Sequence, residues 1–333
     1  MTAHSEIEVR GKTLRLRGTD LALDPPGRCP FGFVSHAGLA ANALPERAIA
    51  TAATLALVSV RSPRALSGSA PLPVSYGREF KLGLLELALF PAGNVLGAAQ
   101  LRCDLRGRRI VYAADLGGVG EAAAETAAPR EQLEADTLIL GARYGDPRYA
   151  FPPLQRALRN VTKFVERALA AGATPVLIAA PLGKSQEVAR HLGRQGHRVL
   201  LHRAAHRFVA VYAAHGVAMP EVAELSGDPA AGAVVIVPPG QLAALKTSRP
   251  LRTCLLSGAA VDPAVVARAH VDEALPVSDH ADHAQLVKYA LESKAKRVLT
   301  LGDGAEPLAS ALRGRGVAAE PVLADRQLKL PGL

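Results

Sequence analysis

Residues 31–42 read FGFVSHAGLAAN. Phe31, Phe33 and Val34 form a short apolar run with the composition of a buried strand. The run stops at Ser35-His36 and passes into a turn of small residues at 37–42. A histidine at the carboxyl end of a buried strand sits where α/β proteins place their chemistry. What that histidine does depends on the rest of the chain.

Toward the amino end, residues 7–23 (IEVRGKTLRLRGTDLAL) alternate apolar and polar side chains. That period of two predicts two strands separated by Gly11-Lys12, stopped by the turn Asp24-Pro25-Pro26-Gly27. Downstream, residues 49–59 read as a strand passing into a helix, and 80–89 as one strand. Residues 100–105 and 108–113 flank Arg106-Gly107 as a hairpin, and 137–140 is a buried strand. The pattern then changes. Leu154, Leu158, Val161, Val165 and Leu169 recur at helical spacing up to Gly172. Strands at 175–180, 199–201, 234–237 and 254–257 alternate with helices at 185–192 and 205–214. This alternation predicts a small parallel α/β unit. A helix at 284–291, a strand at 297–301 and a helix at 307–313 follow.

Hydrophobic residues make up 49% of the 333 and charged residues 21%, enough for a sizeable core and against global disorder. Aromatics are 4% and tryptophan is absent, so the core is built from Ala, Leu and Val. The net charge of +9 favours a polyanionic partner, although an Arg-rich, Ala-rich composition gives the same sign without one. Cys29, Cys103 and Cys254 are far apart and form no CxxC pair, which argues against a disulfide framework and a cysteine zinc site. No apolar run approaches about 18 residues and the first residues lack a signal-peptide core, so a soluble cytoplasmic protein without a membrane partner is expected.

Five further stretches carry pattern: PAGNVLGAAQ (91–100), IVYAADLG (110–117), ADTLILGARYGDP (135–147), AGATPVLIAAPLGKSQEVARHL (171–192) and LPVSDHADHAQL (275–286). With residues 31–42, they resemble in order the motifs of the β-CASP branch of the metallo-β-lactamase superfamily, nucleases of RNA 3′-end processing and DNA repair. The resemblance implies an α/β fold: a metallo-β-lactamase αββα sandwich built from 1–150 and 260–333. A β-CASP parallel α/β domain at 151–259 would be inserted into it.

In that family a strand ends in SHxHxDH. These side chains, a histidine in PAGH, the aspartate of GDL and a late histidine hold two metal ions. By resemblance this chain keeps His36 and Asp115, and it keeps His280 at the position of the general acid. Gly38, Ala40, Ala41 and Asn94 stand at other ligand positions, Gly141 replaces an acidic residue, and 301–304 contains no histidine. Two strong ligands remain, where a catalytic zinc site needs about three. No cofactor is therefore expected. Zinc or manganese would enter only a rearranged site that recruits Asp24, Asp303 or His283, with Asn94 offering an amide oxygen. Each residue also has a structural role open to it. His36 can bond Asp115, Asp24 can accept backbone N–H groups, and Asp282 can cap the helix that follows.

Arg190, Arg194, Arg198, His202, Arg203, His206 and Arg207 crowd the inserted unit. Lys184, Ser185, Arg203 and Arg207 are the candidate nucleic-acid contacts, because phosphate binding needs no metal. GKSQE lacks P-loop spacing, but Lys184-Ser185 at a helix start can meet a phosphate. These features lead to a catalytically inactive pseudo-nuclease that binds RNA or single-stranded DNA, or that partners an active nuclease, ligase or helicase. One alternative is an active metal-dependent exonuclease with a rearranged or single-metal site. Another is a scaffold that binds no nucleic acid.

Overall fold

The computed structural model describes residues 6–10, 13–39 and 43–322. Strands β1 (Ile7–Arg10), β2 (Thr13–Leu16) and β3 (Leu21–Leu23) pair antiparallel. β4 (Phe31–Phe33), β5 (Arg47–Ala50) and β6 (Leu72–Pro73) extend the same sheet in parallel. Helix α1 (Ala52–Arg61) lies between β5 and β6 in sequence, and Thr51 Oγ1 caps it by accepting from Thr54 N at 3.1 Å. A second sheet begins with the antiparallel meander β7 (Glu79–Leu82), β8 (Leu85–Pro91), β9 (Ala99–Leu105) and β10 (Arg108–Ala113). β11 (Thr137–Gly141) joins β10 in parallel.

Strand periodicity makes these two sheets the middle of a four-layer stack. Ile110 and Tyr112 of β10 pack with Phe33, Leu23 and Ile49 of the first sheet, while Val111 and Ala113 join a different cluster that contains helix residues. Ile139 and Leu138 of β11 divide in the same way. A side chain that alternates between two buried clusters marks a strand covered on both faces.

Helix α2 (Leu154–Ala170) leads into a third sheet whose described pairings are all parallel. Its strands are β12 (Thr174–Ile178), β13 (Val199–Leu201), β14 (Val222–Glu224), β15 (Val234–Val237), β16 (Leu251–Leu256) and β17 (Glu273–Leu275), in the order β14-β13-β15-β12-β16-β17. The connections carry α3 (Lys184–Arg194), α4 (Arg203–His206), α5 (Val209–Ala214) and α6 (Pro263–Ala269). The apolar stripe of α2 at Leu154, Leu158, Val161 and Val165 is buried against Leu177, Val234 and Ile236 of this sheet. Phe208 and Tyr212, at and after the break between α4 and α5, are buried in one cluster with Leu57 and Val58 of α1, which seats the inserted sheet on the first layers. The chain then returns through α7 (His283–Glu292), β18 (Arg297–Leu301), α8 (Ala305–Arg313) and β19 (Ala319–Pro321), and β18 pairs in parallel with β11. The fold is the expected αββα sandwich with an inserted parallel α/β sheet.

Several elements differ from the sequence reading. Residues 80–89 are two strands, β7 and β8, because the chain turns at Gly83-Leu84 with φ +59° at Gly83. Residues 7–23 hold three strands, and Gly11-Lys12 lie outside the described residues. The helix at 205–214 is two short helices. The inserted sheet reaches Leu275, past residue 259. Cys29, Cys103 and Cys254 are buried free thiols. Among the described residues, no helix is long and apolar enough to cross a membrane.

Candidate functional site

β8 and β10 are parallel to each other across β9, so their carboxyl ends lie at the same edge of the second sheet. Asn94 follows β8, Asp115 follows β10, and Gly141 ends β11 with Arg143 and Tyr144 just beyond it. His36 arrives from β4 of the opposing sheet, and His280 from the segment before α7. Strand ends from both sheets thus bring together side chains distant in sequence.

His36, Asp115 and His280 meet. Asp115 Oδ2 lies 3.3 Å from His36 Nε2, and Asp115 Oδ1 lies 3.6 Å from His280 Nε2. The contacts continue in both directions. His36 Nδ1 is 2.9 Å from Ser35 Oγ, and the Ser35 hydroxyl donates to Asp24 Oδ2 at 2.6 Å. Asp24 Oδ1 accepts Ser35 N at 2.7 Å, and Tyr112 OH donates to Asp24 Oδ2 at 2.9 Å. On the other side, His280 Nδ1 is 2.9 Å from Asp279 Oδ1, which lies 3.7 Å from Lys184 Nζ. Polar contacts therefore run without a break from Tyr112, inside the sandwich, to Lys184, at the start of α3.

The charges in this chain set one another. Burial alone would raise the Asp115 carboxyl, but His280, His36 and Arg143 hold it below its ordinary value. Burial also opposes ionisation of Asp279, yet Lys184 and His280 hold its carboxyl well below the carboxylate range. Burial would lower the His280 imidazole, and the carboxylates of Asp279 and Asp115 instead push it up to about 9. Asp24 goes the other way: burial raises it against the opposing influence of His36, Ser35 and Tyr112.

Beside the chain lies a cavity of about 220 Å³, lined by His36, Asn94, Arg61, Arg143, Lys184 and His280 among others. Lys184 is buried, and Arg61 Nη1 donates to the carbonyls of Ala37 and Gly38 at 2.8 Å each. Asn94 is 3% exposed and its Nδ2 has no hydrogen-bond partner. A Cβ on Gly38 would sit 2.6 Å from the His36 ring, and a Cβ on Gly141 only 1.4 Å from the Ala114 carbonyl oxygen. A side chain at either position needs its surroundings to move.

The two metal ions implied by the resemblance do not fit this donor set. The two imidazoles approach opposite oxygens of one carboxylate, and cationic side chains line the adjoining space. Among the described residues no group of three or more His, Cys, Asp or Glu side chains is arranged to hold a metal ion. The possible recruits are placed elsewhere. Asp24 is held by Ser35 and Tyr112, His283 Nδ1 is 2.7 Å from the Gly145 carbonyl, and Asp303 is exposed. Ala40 and Ala41 lie outside the described residues.

The nucleic-acid candidates separate. Lys184 lines the cavity, but Ser185 is fully buried and its hydroxyl donates to the Ala180 carbonyl at 2.7 Å, so it has no proton left for a phosphate in this conformation. Arg203 and Arg207 are exposed, and Arg207 stacks over Phe208. Arg190 and Arg194 instead grip Glu125 Oε2, at 2.5 and 2.8 Å. Asp282 caps α7 by accepting Gln285 N at 2.9 Å and also accepts Phe151 N at 3.1 Å. Sequence reasoning gave no role to Asp279, Arg143 or Arg61. The first neighbours a singled-out histidine, and nothing local to the other two signals a shared cavity.

No protein-family profile matches the chain. It is 32% identical over 305 residues to a protein named "Probable DNA ligase" from Opitutus terrae, which covers 90% of this chain and 29% of that protein. It is 29% identical over 129 residues to "Ribonuclease TTHA0252" of Thermus thermophilus, covering 38% of this chain and 28% of the relative. An "RNase J-like protein" of Methanocaldococcus jannaschii is 24% identical over 106 residues, 31% of this chain and 24% of that one. The matched part spans less than a third of each curated relative. A crystal structure of a protein of unknown function from Enterococcus faecalis superimposes with a TM-score of 0.57 at 13% identity, over 89% of this chain and 79% of that one. The relatives carry the names of nucleic-acid-processing enzymes, and the chain is related to nucleases of this fold.

Proposed function

We propose that this chain is a nuclease-fold protein that binds nucleic acid and does not hydrolyse it. One observation carries the reading: both oxygens of Asp115, the carboxylate expected to bridge two metals, face histidines, and Lys184, Arg143 and Arg61 line the space beside them. Without a bound metal to lower its pKa, water is a poor nucleophile toward a phosphodiester at neutral pH. Phosphate contacts by arginine and lysine survive the loss of that chemistry. The sandwich comprises residues 1–150 and the chain beyond Leu275, where the inserted sheet ends. In the inserted unit, Arg203 and Arg207 are exposed and so open to a phosphate.

A ligase, helicase or active nuclease is the proposed partner. The support is that the Opitutus relative named as a ligase is over three times as long as its matched portion, so this fold occurs there within a larger protein. Cleavage assays on single-stranded RNA and DNA with zinc, manganese or magnesium test the proposal. The expected result is no cleavage above that of a His36→Ala, Asp115→Ala double variant. Cleavage that this variant abolishes, with near-stoichiometric zinc or manganese by elemental analysis, would establish the active exonuclease alternative.

A further inference from the structure

We infer that the cavity between the strand ends and α3 binds a nucleic-acid phosphate group through side chains alone, a deepening that rests on the function proposed above. The donor chemistry is that of an anion site. Lys184 is buried, and its Nζ lies 3.7 Å from Asp279, too far for a well-formed hydrogen bond, so the ammonium retains donors for another acceptor. Arg143 is exposed at the cavity edge, and Arg61 enters from α1. Burial lowers the Arg61 guanidinium from its ordinary value, and Arg207 adds a smaller push in the same direction. Crowded cations are stabilised by a multiply charged counter-ion.

Two further features point to a ligand. Asn94 is nine-tenths buried, lines this cavity and leaves Nδ2 without a partner, a costly arrangement unless something supplies an acceptor. Lys184 is also the first residue of α3, so the positive end of that helix's dipole adjoins the cavity. Acidic groups do not cancel the site. Asp279, the lining carboxylate, is engaged by His280 and Lys184, and Asp115 by the two imidazoles. Donors converging from β8, β11, α1 and α3 suit an anion with several oxygens better than a planar carboxylate.

The test combines two titrations. Inorganic phosphate is titrated into the full chain by calorimetry. Fluorescent single-stranded DNA and RNA, bearing a 5′-phosphate, a 3′-phosphate or hydroxyl ends, is followed by anisotropy with and without phosphate as competitor. Asn94→Ala and Arg143→Gln are compared with wild type. Lys184→Gln serves as a third variant after an unfolding check, because it leaves Asp279 short of a partner. Each variant is expected to weaken phosphate binding roughly tenfold or more, and phosphate should compete with the oligonucleotide. Preference for one phosphorylated end assigns the site to a terminus, and equal binding of all ends assigns it to an internal phosphate. Oligonucleotide affinity unchanged by the variants and by phosphate overturns the cavity site while leaving nucleic-acid binding intact. Phosphate bound in the cavity with no oligonucleotide binding leaves an anion site but overturns its assignment to nucleic acid, and the proposed function with it. No heat with phosphate and no effect of any variant removes the site altogether.

Discussion

Replacing His280 by glutamine removes one positive charge from the middle of a half-buried chain of alternating charges. Its Nδ1 is 2.9 Å from Asp279 and its Nε2 is 3.6 Å from Asp115. Burial would lower the imidazole, yet the two carboxylates raise it from 6.5 to about 9. A group whose folded value is raised contributes stability that is fully present below its unfolded value and is lost as pH rises through its folded value. At about 1.36 kcal/mol per pH unit, the rise corresponds to about 3 kcal/mol, present below pH 6.5 and gone above about 9. The attraction that raises His280 is the one that lowers Asp279, so it is counted once. Urea unfolding of wild type and His280→Gln, from about pH 6 to about pH 9.5 and with two probes to check for a single transition, measures the difference directly. Lysines and tyrosines that titrate near the alkaline end are common to both proteins and cancel. The wild type should be more stable by about 3 kcal/mol at the acid end, and the gap should close toward alkaline pH. Parallel stability curves across the window would refute the charge chain.

Glu187 is buried and accepts Glu125 N at 3.0 Å, Thr126 N at 2.9 Å and Thr126 Oγ1 at 2.6 Å, linking α3 to the loop after β10. Glu187→Ala should cost about 2–4 kcal/mol in chemical denaturation because it orphans three donors, whereas Arg194→Gln, at the exposed link to Glu125, should cost less than about 1 kcal/mol. Gly141→Ala should destabilise by more than about 3 kcal/mol, or fail to fold, because the added carbon would collide with the Ala114 carbonyl. Gly27→Ala has open space around the new carbon and should shift the thermal midpoint little, which makes it the control.

Short apolar runs bounded by polar residues were legible in the sequence. The strands Val199–Leu201, Val234–Val237 and Arg297–Leu301 lie where their composition places them. Residues 80–89 misled because the turn at Gly83-Leu84 interrupts an alternation whose apolar positions continue through it, and Leu84 is 77% exposed. β14 and β17 are three-residue edge strands, each half-buried or exposed, too short to show a period. At the site, Asp282 and Asp24 could be placed because their partners are close in sequence or within a strand crossing. The basic residues could not be sorted. Arg190 and Arg194 look like part of one patch until Glu125, 65 and 69 residues away, takes both. Arg61 and Arg143 are unremarkable in sequence and share a cavity only because α1 and the end of β11 converge.

The arrangement of charges at the site can be understood through one half-buried carboxylate. Asp115 lies at the end of a strand covered on both faces, where a lone negative charge is costly. In a metal site, cations offset that cost. Here His36 and His280 flank the carboxylate, and His280 is in turn held by Asp279 and, through it, by Lys184. Removing a single member would leave a neighbour without its charged partner, so these residues depend on one another. Gly38, which bears no such charge, leaves room for the His36 ring, and a side chain there would push the imidazole away from Asp115. The contacts among His36, Asp115 and His280 balance charge within this group, which leaves Lys184, Arg143, Arg61 and Asn94 facing the open space.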